Sequence, residues 1–195
     1  MFLLLVGCVP PPPIAPPPAP LIEGAQVEWF DLEGVDRIDL LESCLRDCPR
    51  DEAGTAVASL TSWRVDWSWV RDGTDACGVA GANVDASVTV ELPRWAAPPE
   101  ADPALVAEWD AWFRALRRHE QGHVDVVHTF AHDAERVIAD AGCAGADEAG
   151  ARILDGLGRA QHDYDAQTAS GHRQGASFWA VAGRSQNRGE LLTAP

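Results

Sequence analysis

The chain has 195 residues, of which 46% are hydrophobic and 23% charged, and its formal net charge is −15. That length suits one domain with appendages, and the apolar content excludes intrinsic disorder. The acidic excess repels phosphate groups and anionic headgroups, so we expect no nucleic-acid partner and no electrostatic attachment to a membrane surface.

The first 24 residues have the composition of an export signal followed by a spacer. Residues 2–7 are apolar but too few to span a bilayer, and the sequence L-V-G-C ending at Cys8 resembles a bacterial lipobox, whose cysteine is acylated. We therefore expect residues 1–8 to be a lipoprotein signal segment with Cys8 as the lipid acceptor. The proline-rich residues 9–24 predict an extended tether. The protein is predicted to lie in the bacterial cell envelope, as a periplasmic or surface lipoprotein or a secreted protein.

The remaining four cysteines form an even set, as expected of a protein in an oxidising compartment. Three pairings are possible. We favour Cys77–Cys143, which would join a hairpin to a helix end, together with the local pair Cys44–Cys48. The local bridge requires a frayed turn before Pro49, because cysteines four apart in a regular helix form a strained bridge.

Residues 25–185 are expected to form the folded domain, and residues 186–195 a flexible tail. Residues 60–70 and 83–92 alternate apolar and polar side chains, a period of two that predicts strands with one buried face. The glycine-rich link between them predicts a Trp-rich antiparallel hairpin. Residues 27–30 are a candidate further strand in this small antiparallel sheet.

A long helix is predicted to begin at Asp102, the N-cap, with Pro103 at its first position, and to end before Gly142. Its apolar residues recur at spacings of three and four. A second helix is predicted at 147–168, and a shorter one at 35–45. The predicted fold class is therefore α+β, with the small sheet packed on the long helix and a second, C-terminal helix.

The long helix carries the motif H-E-x-x-H at His119, Glu120 and His123. Four residues advance a helix by one turn plus about 40°, so the two imidazoles can reach one cation, while Glu120 lies about 100° round from His119. Zinc held in this way activates water, and the glutamate takes its proton. We expect zinc as the cofactor, His119 and His123 as ligands and Glu120 as the general base. His128 and His132 fall on the opposite, solvated face of the helix.

A third ligand must come from elsewhere, and residues 162–175 are the densest polar segment available. Either the carboxylate of Asp165 or the imidazole of His172 would complete a tetrahedral site. Tyr164, the single tyrosine of the chain, would donate its hydroxyl to a developing oxyanion.

The motifs, taken in order, resemble those of the bacterial domain-of-unknown-function 922 family, whose members are described as predicted secreted zinc-dependent proteases. The resemblance covers most of 25–177. The shared motifs are T-x-W-x-V-x-W from Thr61 to Trp67, Cys77, L-P-x-W from Leu92 to Trp95, H-E-x-G-H from His119 to His123, and a closing motif at Tyr164, Asp165, Thr168, Gly171, Gly175 and Ala176. The resemblance implies a zincin-like metalloprotease domain that acts on a peptide or protein substrate.

The chain departs from the family pattern at Ser170, where the pattern has a histidine, and His172 follows two positions later. Three readings of the third ligand stay open: His172 after a local loop change, Asp165, or a weakened site. The alternative function is a non-catalytic envelope lipoprotein that binds a partner, although structural zinc has no need of Glu120. A hydrolase of peptidoglycan amide bonds would use the same chemistry. The Trp-rich hairpin could also offer an edge strand to an extended peptide.

Overall fold

The computed structural model describes residues 21–73 and 77–178, which form a three-stranded sheet packed against two long helices. In chain order the elements are β1 (Gln26–Leu32), α1 (Arg37–Asp47), β2 (Leu60–Arg71), β3 (Val79–Trp95), α2 (Pro103–Asp140), α3 (Gly142–Thr168) and a 3-10 turn (His172–Gln174). The predicted α+β class is confirmed. Cys8, the rest of the predicted signal segment, most of the predicted tether and the predicted tail lie outside the described residues.

The sheet has the strand order β1–β3–β2, so β1 and β2 are its edges. β2 and β3 are antiparallel, with Thr61 opposite Val90 and Trp67 opposite Val84, which confirms the predicted hairpin. β1 runs parallel to β3, so the expectation of a wholly antiparallel sheet is wrong for this strand. The connection explains the difference: α1 follows β1, and no tight turn forces β1 to run antiparallel to its neighbour.

The inner face of β2 packs against the helices. Along the strand, Trp63, Val65 and Trp67 are buried or half-buried, whereas the residues between them are exposed. A Cβ atom at Gly150 of α3 would lie 2.3 Å from the Trp67 ring, so this glycine permits the close approach of helix and strand. This fit fixes the position of β2 along α3.

Helix α2 begins as predicted. The Asp102 carboxylate accepts a hydrogen bond of 2.8 Å from the backbone N–H of Ala104, and Pro103 occupies the first turn. The predicted apolar stripe is buried and continues directly into the polar motif. Its buried members include Trp109, Trp112, Leu116, His119, Glu120, His123, Val124 and Val127.

Helix α3 begins at Gly142, five residues before the predicted start at Asp147. Gly142 has φ +63°, a left-handed conformation that turns the chain as soon as α2 ends. Near this connection Ile138 packs with Ala146, and farther away Phe130 meets Gly156, so the two helices run antiparallel. This arrangement brings the second half of α3 beside the H-E-x-x-H motif.

Both predicted disulfides are present. Cys44 and Cys48 have Cα atoms 4.6 Å apart, and Cys48 is the extended C-cap of α1, which supplies the irregular turn that the bridge requires. The Cα atoms of Cys77 and Cys143 lie 5.5 Å apart and join the segment before β3 to the first turn of α3. Covalent bonds thus close α1 locally and fasten α3 to the hairpin.

Residues 21–24, which we expected in the tether, pack on α2. Ile22 is buried, Arg117 donates to the Leu21 carbonyl, and the Gln121 side chain donates to the Glu23 carbonyl at 3.0 Å. The folded part therefore includes these four residues. In the described part of the chain, no helix is both long and apolar enough to cross a membrane.

Candidate metal centre

The two histidines of the motif lie one turn apart on α2 and are both buried. Their Nε2 atoms are 3.2 Å apart, and their ring centroids are separated by 4.7 Å. The rings meet edge to face, at 82° to each other, and the four-residue spacing places them side by side as predicted. Both rings turn their Nε2 edge toward the same point.

Asp165 of α3 supplies the third converging atom. Its Oδ1 lies 3.2 Å from Nε2 of His119 and 3.3 Å from Nε2 of His123. These distances fit a metal, because two ligands bonded at about 2.1 Å to a tetrahedral ion lie about 3.4 Å apart. In the described part of the chain, this group of potential ligands does not include His172.

The structure therefore does not bring His172 to the group formed by His119, His123 and Asp165, and the backbone explains why. Ala169, Ser170 and Gly171 all have left-handed φ values, of 50°, 47° and 79°. They turn the chain so that Gly171 packs on His119, where an added Cβ would lie 3.1 Å from the ring. His172 follows on the exposed side of the 3-10 turn, and the Ser170 position is exposed as well.

A glutamine holds the outer edge of the His123 ring. The Gln161 side chain donates to the backbone carbonyl of His123 at 3.1 Å, while its Oε1 lies 2.5 Å from Nδ1 of the same histidine. Since the carbonyl can only accept, the amide NH₂ must face it, and Oε1 must face the ring. Nδ1 is then the protonated nitrogen, which leaves a lone pair on Nε2 of the neutral ring.

The same logic applies to His119 through Tyr164. The Tyr164 hydroxyl donates to the His119 carbonyl at 3.1 Å and accepts from the Gln174 amide at 3.1 Å. The Oε1 of Gln174 is therefore the atom 3.0 Å from Nδ1 of His119, which must carry the proton. Both histidines thus present Nε2 lone pairs to the point on which Asp165 converges.

The electrostatics of this group favour a positive charge. Burial lowers the pKa of His123, but hydrogen bonds with Asp165 and Gln161 and the negative charge of Glu120 outweigh it, so the pKa is raised. Burial alone would raise the pKa of Asp165, yet its hydrogen bonds with His119 and His123 hold that pKa far below its usual range. Both shifts favour a positively charged imidazole beside the ionised carboxylate of Asp165.

Tyr164, for which a role as an oxyanion donor stays a prediction, contacts both histidine rings. Its ring stacks on His119 at 5.3 Å and meets His123 edge-on at 4.8 Å, and its hydroxyl is bonded to the His119 carbonyl. Burial raises its pKa, so the hydroxyl keeps its proton. A Cβ at Gly122 would lie 2.0 Å from this hydroxyl, which explains why a glycine stands inside the motif.

Glu120 points toward the sheet. It is 4% exposed, and both carboxylate oxygens accept hydroxyl hydrogen bonds, from Ser59 at 2.5 Å and from Thr61 at 2.6 Å. His128 and His132 are exposed on α2, as predicted.

Sequence reasoning missed Gln161, Gln174, Ser59 and Thr61 as parts of the site. Gln161 lies one helical turn before Asp165, a spacing of four that places both side chains on the same face of α3. Thr61 begins the strand motif T-x-W-x-V-x-W, but only the packing of β2 on α2 links it to Glu120.

These features define a class of α+β protein in which two histidines and one aspartate converge between two antiparallel helices. The sequence profile of the family described as "Bacterial protein of unknown function (DUF922)" matches residues 27–173, and the chain belongs to that family. No curated protein and no solved structure gives a significant match to the chain.

Proposed function

We propose that this chain is a zinc-dependent hydrolase of the bacterial envelope, a metallopeptidase with a zincin-like H-E-x-x-H site. Its metal ligands are His119, His123 and Asp165, and its general base is Glu120. The substrate class that we propose is a peptide or protein.

One observation carries the proposal. Three buried or half-buried lone-pair donors converge at 3.2–3.3 Å, and the contacts of Gln161 and Gln174 leave no proton on either inward nitrogen of the neutral rings. Such acceptors repel one another unless a cation lies among them. Two imidazoles and one carboxylate are a set that zinc takes in catalytic sites, where a fourth position stays open.

When bound, zinc supplies Lewis acidity, which polarises a scissile carbonyl and makes water nucleophilic near neutral pH. Glu120 then accepts the proton of the attacking water and delivers it to the leaving nitrogen. Gln161 and Gln174 hold the two imidazoles in the tautomer that binds metal. Asp165 contributes a negative charge that offsets the charge of the cation.

The location in the envelope is supported by the two disulfides, since such bonds persist in oxidising compartments. The edge position of β2 supports a substrate bound in extended form, because a free strand edge offers unpaired backbone groups.

The proposal is tested by metal content and peptide hydrolysis in the wild type, in Glu120→Gln and in Asp165→Ala. We expect about one zinc per chain and hydrolysis of casein-derived peptides by the wild type. Glu120→Gln should keep zinc but lose about 10²–10⁴-fold in kcat, because proton transfer is lost. Asp165→Ala should lose both its zinc and its activity. His132→Gln, an exposed change on the same helix, is the matched control and should behave as wild type.

Zinc retained without hydrolysis of peptides or of purified peptidoglycan would support the non-catalytic, partner-binding alternative. Release of peptidoglycan fragments without proteolysis would keep the hydrolase and change its substrate. Failure of the wild type to bind zinc, measured after dialysis against the metal, contradicts the proposal.

A further inference from the structure

The side of Glu120 that faces the sheet is a second, separately built part of the site. Its carboxylate is buried and lies against the beginning of β2. A buried charge requires hydrogen-bond partners, and here the protein provides two hydroxyl donors, from Ser59 just before β2 and from Thr61 within it.

We infer that Ser59 and Thr61 are positioning residues for Glu120, which hold its carboxylate plane in the orientation that proton transfer requires. The inference rests on the proposed function, since it gives Glu120 the role of base. The two residues are two apart and therefore project from the same face of the extended chain. Each donates to a different carboxylate oxygen, at 2.5 Å and 2.6 Å.

Two contacts on two oxygens fix the carboxylate in a way that one contact would not. With a single donor, the group could still rotate about its last side-chain bond. With one donor on each oxygen, rotation breaks at least one charge-assisted hydrogen bond. Each oxygen keeps a further lone pair, so the held carboxylate can still accept a proton from water.

The hydroxyls are themselves fixed by the packing of β2. Trp63, Val65 and Trp67 continue the same face of the strand against the helices, and Trp67 fits over Gly150 of α3. A slip of the strand by one residue would turn both hydroxyls away from Glu120. The sheet therefore supplies the orientation of the base, whereas α3 supplies the third ligand.

The test uses the full folded chain with Ser59→Ala, Thr61→Val and the double variant. Thr61→Val keeps the shape of the side chain and removes the hydroxyl. Thr61→Ser restores the hydroxyl, and Ser62→Ala removes an exposed hydroxyl from the opposite face of the strand. Each variant is loaded with zinc, and its kcat and KM are measured well below its melting temperature.

We expect the double variant to keep its zinc and its KM while kcat falls about 10–100-fold, because misplacement of a catalytic group by about 1 Å has an effect of that order. Thr61→Ser should recover most of the loss of Thr61→Val, and Ser62→Ala should match wild type. An active wild type and an equally active double variant overturn this inference but leave the proposed function intact. A zinc-loaded wild type that hydrolyses nothing overturns the proposed function instead.

A second measurement needs neither metal nor substrate. In metal-free protein labelled with ¹³C at the glutamate carboxyl carbons, the resonance that disappears in Glu120→Gln identifies Glu120. The chemical shift of this resonance should differ from the wild-type value in the double variant. In Thr61→Ser, which keeps both hydroxyls, it should lie close to the wild-type value. A resonance that is the same in wild type and double variant would show that the hydroxyls do not hold the carboxylate.

Discussion

At the scale of single residues, the site depends on the absence of a side chain at Gly122 as well as on the side chains around it. Gly122 has no side chain, and the Tyr164 hydroxyl occupies the space that a methyl group would take. That hydroxyl links the His119 carbonyl to Gln174, which in turn holds the His119 ring. The glycine thus determines the orientation of His119, a proposed metal ligand, through two intermediate side chains.

Gly122→Ala tests this relationship. The added methyl group would lie about 2.0 Å from the Tyr164 oxygen, so Tyr164 must move and release Gln174. We expect zinc affinity to fall about 10–100-fold, as it does when residues that orient ligands are lost. Competition with a chromophoric chelator measures the affinity.

Gly158→Ala is the matched control. It lies inside α3, and an added methyl group meets no atom within 4 Å. Alanine favours helix over glycine by about 1 kcal/mol, so this variant should be slightly more stable and should bind zinc normally. Equal zinc affinity in both variants contradicts the role given to Gly122.

The ionisation of His123 and Asp165 predicts how the stability of the metal-free protein depends on pH. The pKa of His123 is raised from 6.5, so its contribution is complete below about pH 6.5 and is lost as pH rises through the higher folded value. The pKa of Asp165 is lowered from 3.8, so its contribution is complete above about pH 4 and is lost as pH falls. Both contributions are present between about pH 4 and pH 6.5.

We therefore expect the melting temperature of the metal-free protein to fall more steeply above about pH 6.5 in the wild type than in His123→Gln. Zinc should reverse this trend, because the metal displaces the proton and binds better as pH rises. Thermal melts with a chelator and with zinc measure both effects. Parallel curves for the two metal-free proteins would contradict the prediction.

At the scale of elements, the parts of the structure encoded by local patterns were predictable. The cap at Asp102, the alternation in β2 and β3 and the spacing of His119 and His123 all depend on neighbours in sequence. Contacts made across the fold were not predictable in the same way. The parallel pairing of β1, the hydroxyl of Ser59 and the amide of Gln174 acquire their roles only once distant elements pack together.

The choice between Asp165 and His172 shows the same limit. Both lie in one polar segment, and composition alone does not separate them. The separation comes from three consecutive left-handed residues after α3, two of which are not glycine. Such a conformation is uncommon for Ala169 and Ser170, so helical periodicity gave no reason to expect the turn that faces His172 outward.

The two disulfides should differ in their contribution to stability. Cys77–Cys143 joins residues 66 apart, whereas Cys44–Cys48 joins residues four apart. Because a longer closed loop restricts the unfolded chain more, we expect paired Cys→Ser replacement to cost about 4 kcal/mol for the first bridge and about 2 kcal/mol for the second. Urea unfolding measures both, and an equal or reversed order would contradict the argument from loop length.

At the scale of the whole molecule, the site lies where three elements, α2, α3 and β2, meet. α2 carries two of the proposed ligands and the proposed base, whereas α3 carries the third proposed ligand and one of the two glutamines. Ser59 and Thr61, at the beginning of β2, hold the proposed base. A metal site whose residues all lay on one helix would not require the sheet. Here the sheet and both helices must be assembled before the chemistry that we propose is possible.

Helix α3 is held at its two ends by different means. The disulfide Cys77–Cys143 holds its first turn covalently. Near its other end, Asp165 faces the two histidines. If zinc binds as proposed, chelation removes the metal contact at the Asp165 end only, so we expect α3 to loosen from that end while its first turn stays bonded to the hairpin. Proteolytic nicks in a chelated sample would then fall in the last turns of α3, so a shortage of zinc would make this protein more susceptible to degradation.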